Sequence, residues 1–243
     1  MTGARLALGF MTRIPAGVPA LPPEQLSRAS AWFPAVGLLV GGIAAGVHAA
    51  AGLVLPSGPA TVLALAAAIL VTGAFHEDAL ADTADGLGAH VGRERKLEIM
   101  TDSRVGTFGS LAVVLPLLLA YSLLAPLGDA DFAAAVVAGH VLGRWAGLPQ
   151  AHFLPPAVQG GLGAKFRVSG AALLVGSVFT IGVVLLAAGW ETGALALALA
   201  VVLNVACGLA LRRVLGGGSG DTYGAVNKLT EVATYAVVAG AAM

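Results

Sequence analysis

The chain has 243 residues, 58% hydrophobic and only 11% charged, against about 45–50% apolar and about 25% charged in an ordinary soluble domain. Thirteen basic and thirteen acidic side chains cancel, which excludes a disordered charged chain and leaves no positive field for a nucleic-acid partner. One cysteine, Cys207, excludes a disulfide framework and any paired-cysteine metal or redox site.

At the N-terminus, Leu6–Met11 is a short apolar segment between Arg5 and Arg13. It is too short to span and carries no cleavable-signal pattern, so it reads as an interfacial helix. No charged residue then occurs between Arg28 and Glu77, and Pro56-Ser57-Gly58-Pro59 divides this run into two crossings. Further uncharged runs cover Val105–Gly128, Val168–Trp190 and Thr192–Leu211. Apolar stretches of about 20 residues match a hydrocarbon core near 30 Å. They are continuous rather than alternating, which selects helices over a β-barrel. The expected fold is an all-α bundle forming one integral membrane domain over residues 1–243. Its spans are 31–55, 59–77, 106–127, 131–148, 169–189, 192–211 and 224–243. The last contains Lys228 and Glu231, so the count is seven, or six if that segment only lies at the interface.

With the N-terminus in the cytoplasm, all thirteen Lys and Arg fall on the cytoplasmic side, Arg144 in the last turn of its span, and Asp129, Asp131 and Glu191 fall opposite. Trp32, Trp145 and Trp190 lie near span ends. Gly37, Gly41, Gly42 and Gly46 read as helix packing, as do His48 and His140 within spans. No internal repeat supports an inverted-repeat transporter.

The chemistry is concentrated in a cytoplasmic segment, 76–105, which holds seven of the thirteen acids. In His76-Glu77-Asp78-Ala79-Leu80-Ala81-Asp82-Thr83-Ala84-Asp85-Gly86, the residues Asp78, Asp82 and Asp85 are spaced i, i+4, i+7 and share one helix face, from which Glu77 points away. Like charges so placed repel, and no basic residue occurs between Arg28 and Arg93 to offset them. Carboxylates without cysteine suit Mg²⁺, or Mn²⁺, and Mg²⁺ commonly shares its shell with substrate phosphates, which points to phosphoryl transfer. Glu98 and Asp102, again i, i+4, would complete a metal shell. Arg104 would face phosphate, with Arg95 as a second cation. His76 reads as a base or as a partner to a metal ligand. A glycine-rich cytoplasmic segment, 212–231, opens a helix at Gly220-Asp221-Thr222 and ends at Glu231, where backbone N–H groups would bind substrate phosphate.

Five blocks together resemble the adenosylcobinamide-GDP ribazoletransferase (cobalamin synthase) family: Phe10–Pro15, Trp32–Leu39, Phe75–Gly86, Leu97–Arg104 and Ser219–Gly224. They stand in family order. The resemblance implies a polytopic enzyme of the cytoplasmic (inner) membrane with its active site on the cytoplasmic side. It implies a reaction in which a ribose hydroxyl of α-ribazole, or of its 5′-phosphate, attacks the cobinamide-linked phosphate of adenosylcobinamide-GDP. GMP leaves, and Mg²⁺ is required. On the residues and the resemblance together, the expected roles are His76, Asp82 and Arg104 in catalysis, Asp78, Asp82, Asp85, Glu98 and Asp102 at metal, and Arg95, Arg104, Gly220, Asp221, Thr222 and Glu231 at substrate. The expected partners are these two substrates and the lipid bilayer, with a homo-oligomer left open and no nucleic acid. Two positions depart from the family pattern: Ala79 replaces a common glycine, and Lys228 a common acid, one turn before Glu231 and spaced for an i, i+3 pair. A CDP-alcohol phosphotransferase is the nearest alternative, but its Asp-Gly-x-x-Ala-Arg run is missing after Gly86. A cation transporter is a second, though the predicted spans lack mid-membrane acids.

Overall fold

A computed structural model describes residues 2–17, 23–158 and 166–242. Lys165, counted above among the cytoplasmic cations, lies outside the described residues. Among these residues every element is helical, apart from one isolated bridge between Pro156 and Gly218. The helices are α1 (Gly3–Met11), α2 (Pro23–Ala29), α3 (Phe33–Gly52), α4 (Ser57–Thr72), α5 (Phe75–Gly88) and α6 (Arg93–Ile99). They continue as α7 (Thr107–Leu124), α8 (Asp129–Phe153), α9 (Gly170–Ala188), α10 (Trp190–Leu215) and α11 (Gly220–Ala242), with a 3₁₀ turn at Ser30–Trp32 before α3.

Helix α8 is the hub. It packs along α3, α9 and α11, and α11 in turn packs on α5 and α10. Small residues permit the closest of these approaches. A Cβ at Gly37 would run into the His140 carbonyl, and one at Gly41 would lie 2.8 Å from the Val136 carbonyl. Gly42 and Gly46 face open space, so only half of the expected glycine packing is used.

Large apolar side chains cover the outside. Leu111, Leu115 and Leu118 on α7, Leu174, Val178 and Leu186 on α9, and Leu195, Val202 and Val205 on α10 are all exposed. Such a surface is stable in a bilayer and an aggregation liability in water. Four helices are long and apolar enough to cross a membrane: Gln25–Gly52, α7, α9 and α10. A fifth crossing is reached if α4 and α5, bent by 85°, count as one broken span. Helices of 25 and 23 residues, α8 and α11, stand at the expected fourth and seventh spans, but neither is among the candidate crossings, so the seven-span count is not reached. They are less apolar than their neighbours because their polar side chains face one another inside the bundle, where other helices shield them from lipid.

The break between α4 and α5 positions the acidic segment. Gly73 and Ala74 both adopt left-handed backbone, at φ 68° and 60°. For alanine this costs about 1–2 kcal/mol, the kind of strain a fold retains where a direction matters. Arg13 packs over Gly73, where a Cβ would strike its guanidinium, and the Arg13 N–H donates to the Val71 carbonyl at 2.8 Å.

Candidate active site

Helix α5 carries two chemistries on two faces. On the outer face Asp78 is exposed, and Asp82 and Asp85 are half-buried. On the inner face His76 and Glu77 are buried, so Glu77 points away from the aspartates as the helical spacing requires. Asp221, at the start of α11, joins the outer face from the far end of the chain. Burial, followed by the charges of Asp78, Asp221 and Asp85, raises the Asp82 carboxyl to about 6. Burial, with Asp78 adding to it, also pushes Asp221 above the usual carboxylate range.

The other predicted metal ligands are engaged elsewhere. Asp85 accepts from the backbone N–H of Gly106 at 2.6 Å and of Gly109 at 2.8 Å, capping α7 from outside the helix. A Cβ at Gly106 would lie 2.5 Å from Asp85 Oδ1, which is why glycine stands there. Asp102 does not continue the helix of Glu98, because α6 ends at Ile99. It accepts instead from Arg104 Nη2 at 2.6 Å and from the Arg104 backbone N–H at 3.0 Å. That hydrogen bonding holds the Asp102 carboxyl down at about 2. Glu98 pairs with Arg95 at 2.7 Å on the surface. Among the described residues no three His, Cys, Asp or Glu side chains converge as they stand on a point that could hold a metal ion.

The predicted glycine-rich segment 212–231 is mostly helix. α10 runs to Leu215 and α11 starts at Gly220, so only residues 216–219 connect them. Ser219 and Thr222 close a reciprocal cap: the Ser219 N–H donates to Thr222 Oγ1 at 2.8 Å, and the Thr222 N–H to Ser219 Oγ at 3.3 Å. Thr222 is fully buried in that cap, whereas Gly220 lies at the mouth of a cavity. Arg93 ties the connection down, donating to the Leu215 carbonyl at 2.8 Å and the Ala157 carbonyl at 2.6 Å.

Glu231, expected at substrate, is 1% exposed and centres a buried ion network. Its Oε1 accepts from Lys228 Nζ at 2.6 Å, and its Oε2 from Arg144 Nη1 at 2.7 Å. His140 Nδ1 lies 2.8 Å from that second oxygen. Lys228 also reaches Glu77 Oε1 at 2.7 Å. Sequence reasoning missed this network except for the i, i+3 spacing of Lys228 and Glu231. It had placed Arg144 at a span end, whereas Arg144 is 2% exposed in the interior of α8. The network also removes the argument that no acid enters the bundle. The two departures from the family pattern have local partners. Lys228 sits between two carboxylates, and Ala79 fits because Gly224 faces it, where a Cβ would come within 2.5 Å of the Ala79 methyl.

The sequence model of the family described as Cobalamin-5-phosphate synthase matches residues 3–239. The chain belongs to the cobalamin-5-phosphate synthase family. It is 40% identical over 237 residues to the adenosylcobinamide-GDP ribazoletransferase of Roseiflexus sp. (strain RS-1), covering 96% of this chain and 87% of that protein. It is 43% identical over 245 residues to the protein of the same name from Shewanella amazonensis, covering 96% and 93%. The one from Polaromonas sp. (strain JS666) is 40% identical over 266 residues, covering 95% and 93%. Membership places this chain among the transferases of cobalamin synthesis. No solved structure matches it.

Proposed function

We propose that the chain joins α-ribazole, or its 5′-phosphate, to adenosylcobinamide-GDP, with release of GMP, at the cytoplasmic face of the inner membrane. The names of its relatives support the substrates. The convergence of Asp221 on the face of Asp78 and Asp82 supports the chemistry, and it is the observation that carries this reading. A diphosphate is anionic and cannot approach four carboxylates unaided, so a divalent cation between them resolves the repulsion. The donor set fits Mg²⁺: hard oxygens, with one carboxyl whose proton affinity is raised by burial and by neighbouring like charges, and whose proton a cation would displace. Asp78, Asp82 and Asp221 would hold the ion. Once bound, it would polarise the phosphate and neutralise the charge of the leaving GMP.

The remaining steps belong to the chain's own groups. A ribose hydroxyl of the acceptor forms a bond to the cobinamide-linked phosphorus. The phosphorus–oxygen bond to GMP breaks, and GMP leaves with the bonding pair. An aspartate of the outer face, or His76 at the start of the same helix, takes the hydroxyl proton. Arg104, exposed beside Asp102, reorients to the departing phosphate. Asp85 holds α5 against α7, and the Lys228–Glu77 pair holds it against α11, so that the aspartate face presents outward. The N-terminus lies in the cytoplasm, which places the acidic segment there as well. The test is GMP release from purified protein given both substrates, with Mg²⁺ and with EDTA. Release that persists in EDTA removes the cation from the mechanism, and no release under either condition removes the reaction.

A further inference from the structure

Aromatic side chains make up only 6% of this chain, eight phenylalanines, three tyrosines and three tryptophans. Phe10, Phe33, Phe75, Phe166 and Tyr223 nonetheless line a single cavity, each arriving from a different segment. The rings of Phe10 and Phe33 stack at 5.8 Å, Phe10 meets Phe75 edge-on at 5.3 Å, and Phe33 stacks with Phe166 at 6.2 Å. A packing cluster would close on itself. Here Phe75 keeps 39% of its surface, and a cavity remains beside the rings, which themselves touch. Asn227, in the cavity wall and 3% exposed, leaves Oδ1 without a hydrogen-bond partner.

The cavity lies beside the first turns of α5 and α11, the turns that carry Asp78 and Asp221. His76 and Gly220 line it, and each stands within two residues of an aspartate of the acidic face, Asp78 and Asp221. We propose that this cavity holds the planar heteroaromatic base of the nucleoside acceptor, so that the attached ribose emerges at Asp78, Asp82 and Asp221. The proposal rests on the transfer reading above and goes beyond it by assigning one substrate to one pocket. Ring stacking on aromatic faces suits any planar base. Apart from His76, Arg144, Asn227 and the Tyr223 hydroxyl the wall is carbon, which favours a base with little polar edge over guanine, most of whose donors and acceptors would go unpaired. A largely apolar base loses nothing there.

The experiment is steady-state kinetics of Phe166→Leu and Phe75→Leu in detergent. Leucine keeps apolar bulk and removes the ring face. The expected result is an approximately tenfold rise in KM for α-ribazole. KM for adenosylcobinamide-GDP and kcat should stay within twofold, and Phe166→Trp should restore the wild-type value. Unchanged KM for α-ribazole in both variants overturns the proposal. So does a rise confined to adenosylcobinamide-GDP, which would assign the pocket to the nucleotide. Phe75 is partly exposed, so its variant serves if Phe166→Leu fails to insert. Wild-type protein that releases no GMP defeats the transfer reading separately. Equilibrium dialysis of labelled α-ribazole then decides the pocket: weaker binding by the variants supports it, and equal binding by variants and wild type overturns it.

Discussion

Lys228 and Glu77 form a buried ion pair of 2.7 Å between α11 and α5. Glu77 is adjacent to Asp78, one residue and about 100° away on the same helix, so clamping Glu77 inward rotates the aspartate face outward. Structure inside the bundle thus sets the direction of charge outside it.

Removing one partner of such a pair strands the other, at a cost of about 3–5 kcal/mol. Lys228→Met should therefore lower the melting temperature measurably in detergent, and the double variant with Glu77→Gln should recover part of the loss. Lys228→Glu, which restores the acid common in the family, should be worse than Lys228→Met. It sets three carboxylates around Arg144, the one cation then left in the network. A Lys228→Glu protein as stable as wild type would show that the pair is not what orients α5.

Asp82 joins stability to metal binding. Its folded carboxyl titrates near 6, above an ordinary carboxylate. The penalty is absent below the ordinary carboxylate range, where both states are protonated, and is fully present above about 6. Metal-free protein should therefore melt higher as pH falls from 7 toward 5. Asp82→Asn should flatten that profile, abolish transfer and cancel the thermal stabilisation by Mg²⁺. Retention of half the wild-type rate would remove Asp82 from the site.

Asp85 should behave differently although it shares the motif. Both of its oxygens accept backbone N–H groups at the start of α7. Asp85→Ala should cost about 1–2 kcal/mol of stability. Asp85→Asn, which keeps an acceptor oxygen, should retain far more activity than Asp82→Asn. An Asp85→Asn protein that melts normally but transfers nothing would make Asp85 a metal ligand instead.

The contact of Gly224 with Ala79 offers a packing test. Gly224→Ala places a Cβ within 2.5 Å of the Ala79 methyl, and overpacking of this kind costs about 1–3 kcal/mol. Ala79→Gly in the same chain should restore the space and the melting temperature. Failure of that rescue would mean the two helices do not meet there.

Topology is tested with one cysteine. With Cys207 replaced by serine, a cysteine at exposed His90 should resist a membrane-impermeant thiol reagent in intact cells and react after lysis. Reaction in intact cells would invert the orientation.

The sequence alone determined that this chain is helical and built for a membrane, because uncharged runs of bilayer length have no other stable home. It also determined the shared face of Asp78, Asp82 and Asp85, since helical periodicity depends only on local spacing. The family motif around them was legible for the same reason: each block is a contiguous string. Only the tertiary structure brought Asp221 to that face, divided the roles of Asp85 and Asp82, and gathered five rings from five segments beside them. It alone distinguished Glu231 and Lys228 in a buried network from charges at an interface. A charge on a helix reads the same whether water or a counter-charge awaits it. Which of the two it meets is decided by the helix packed against it, here α8 and α5 against α11.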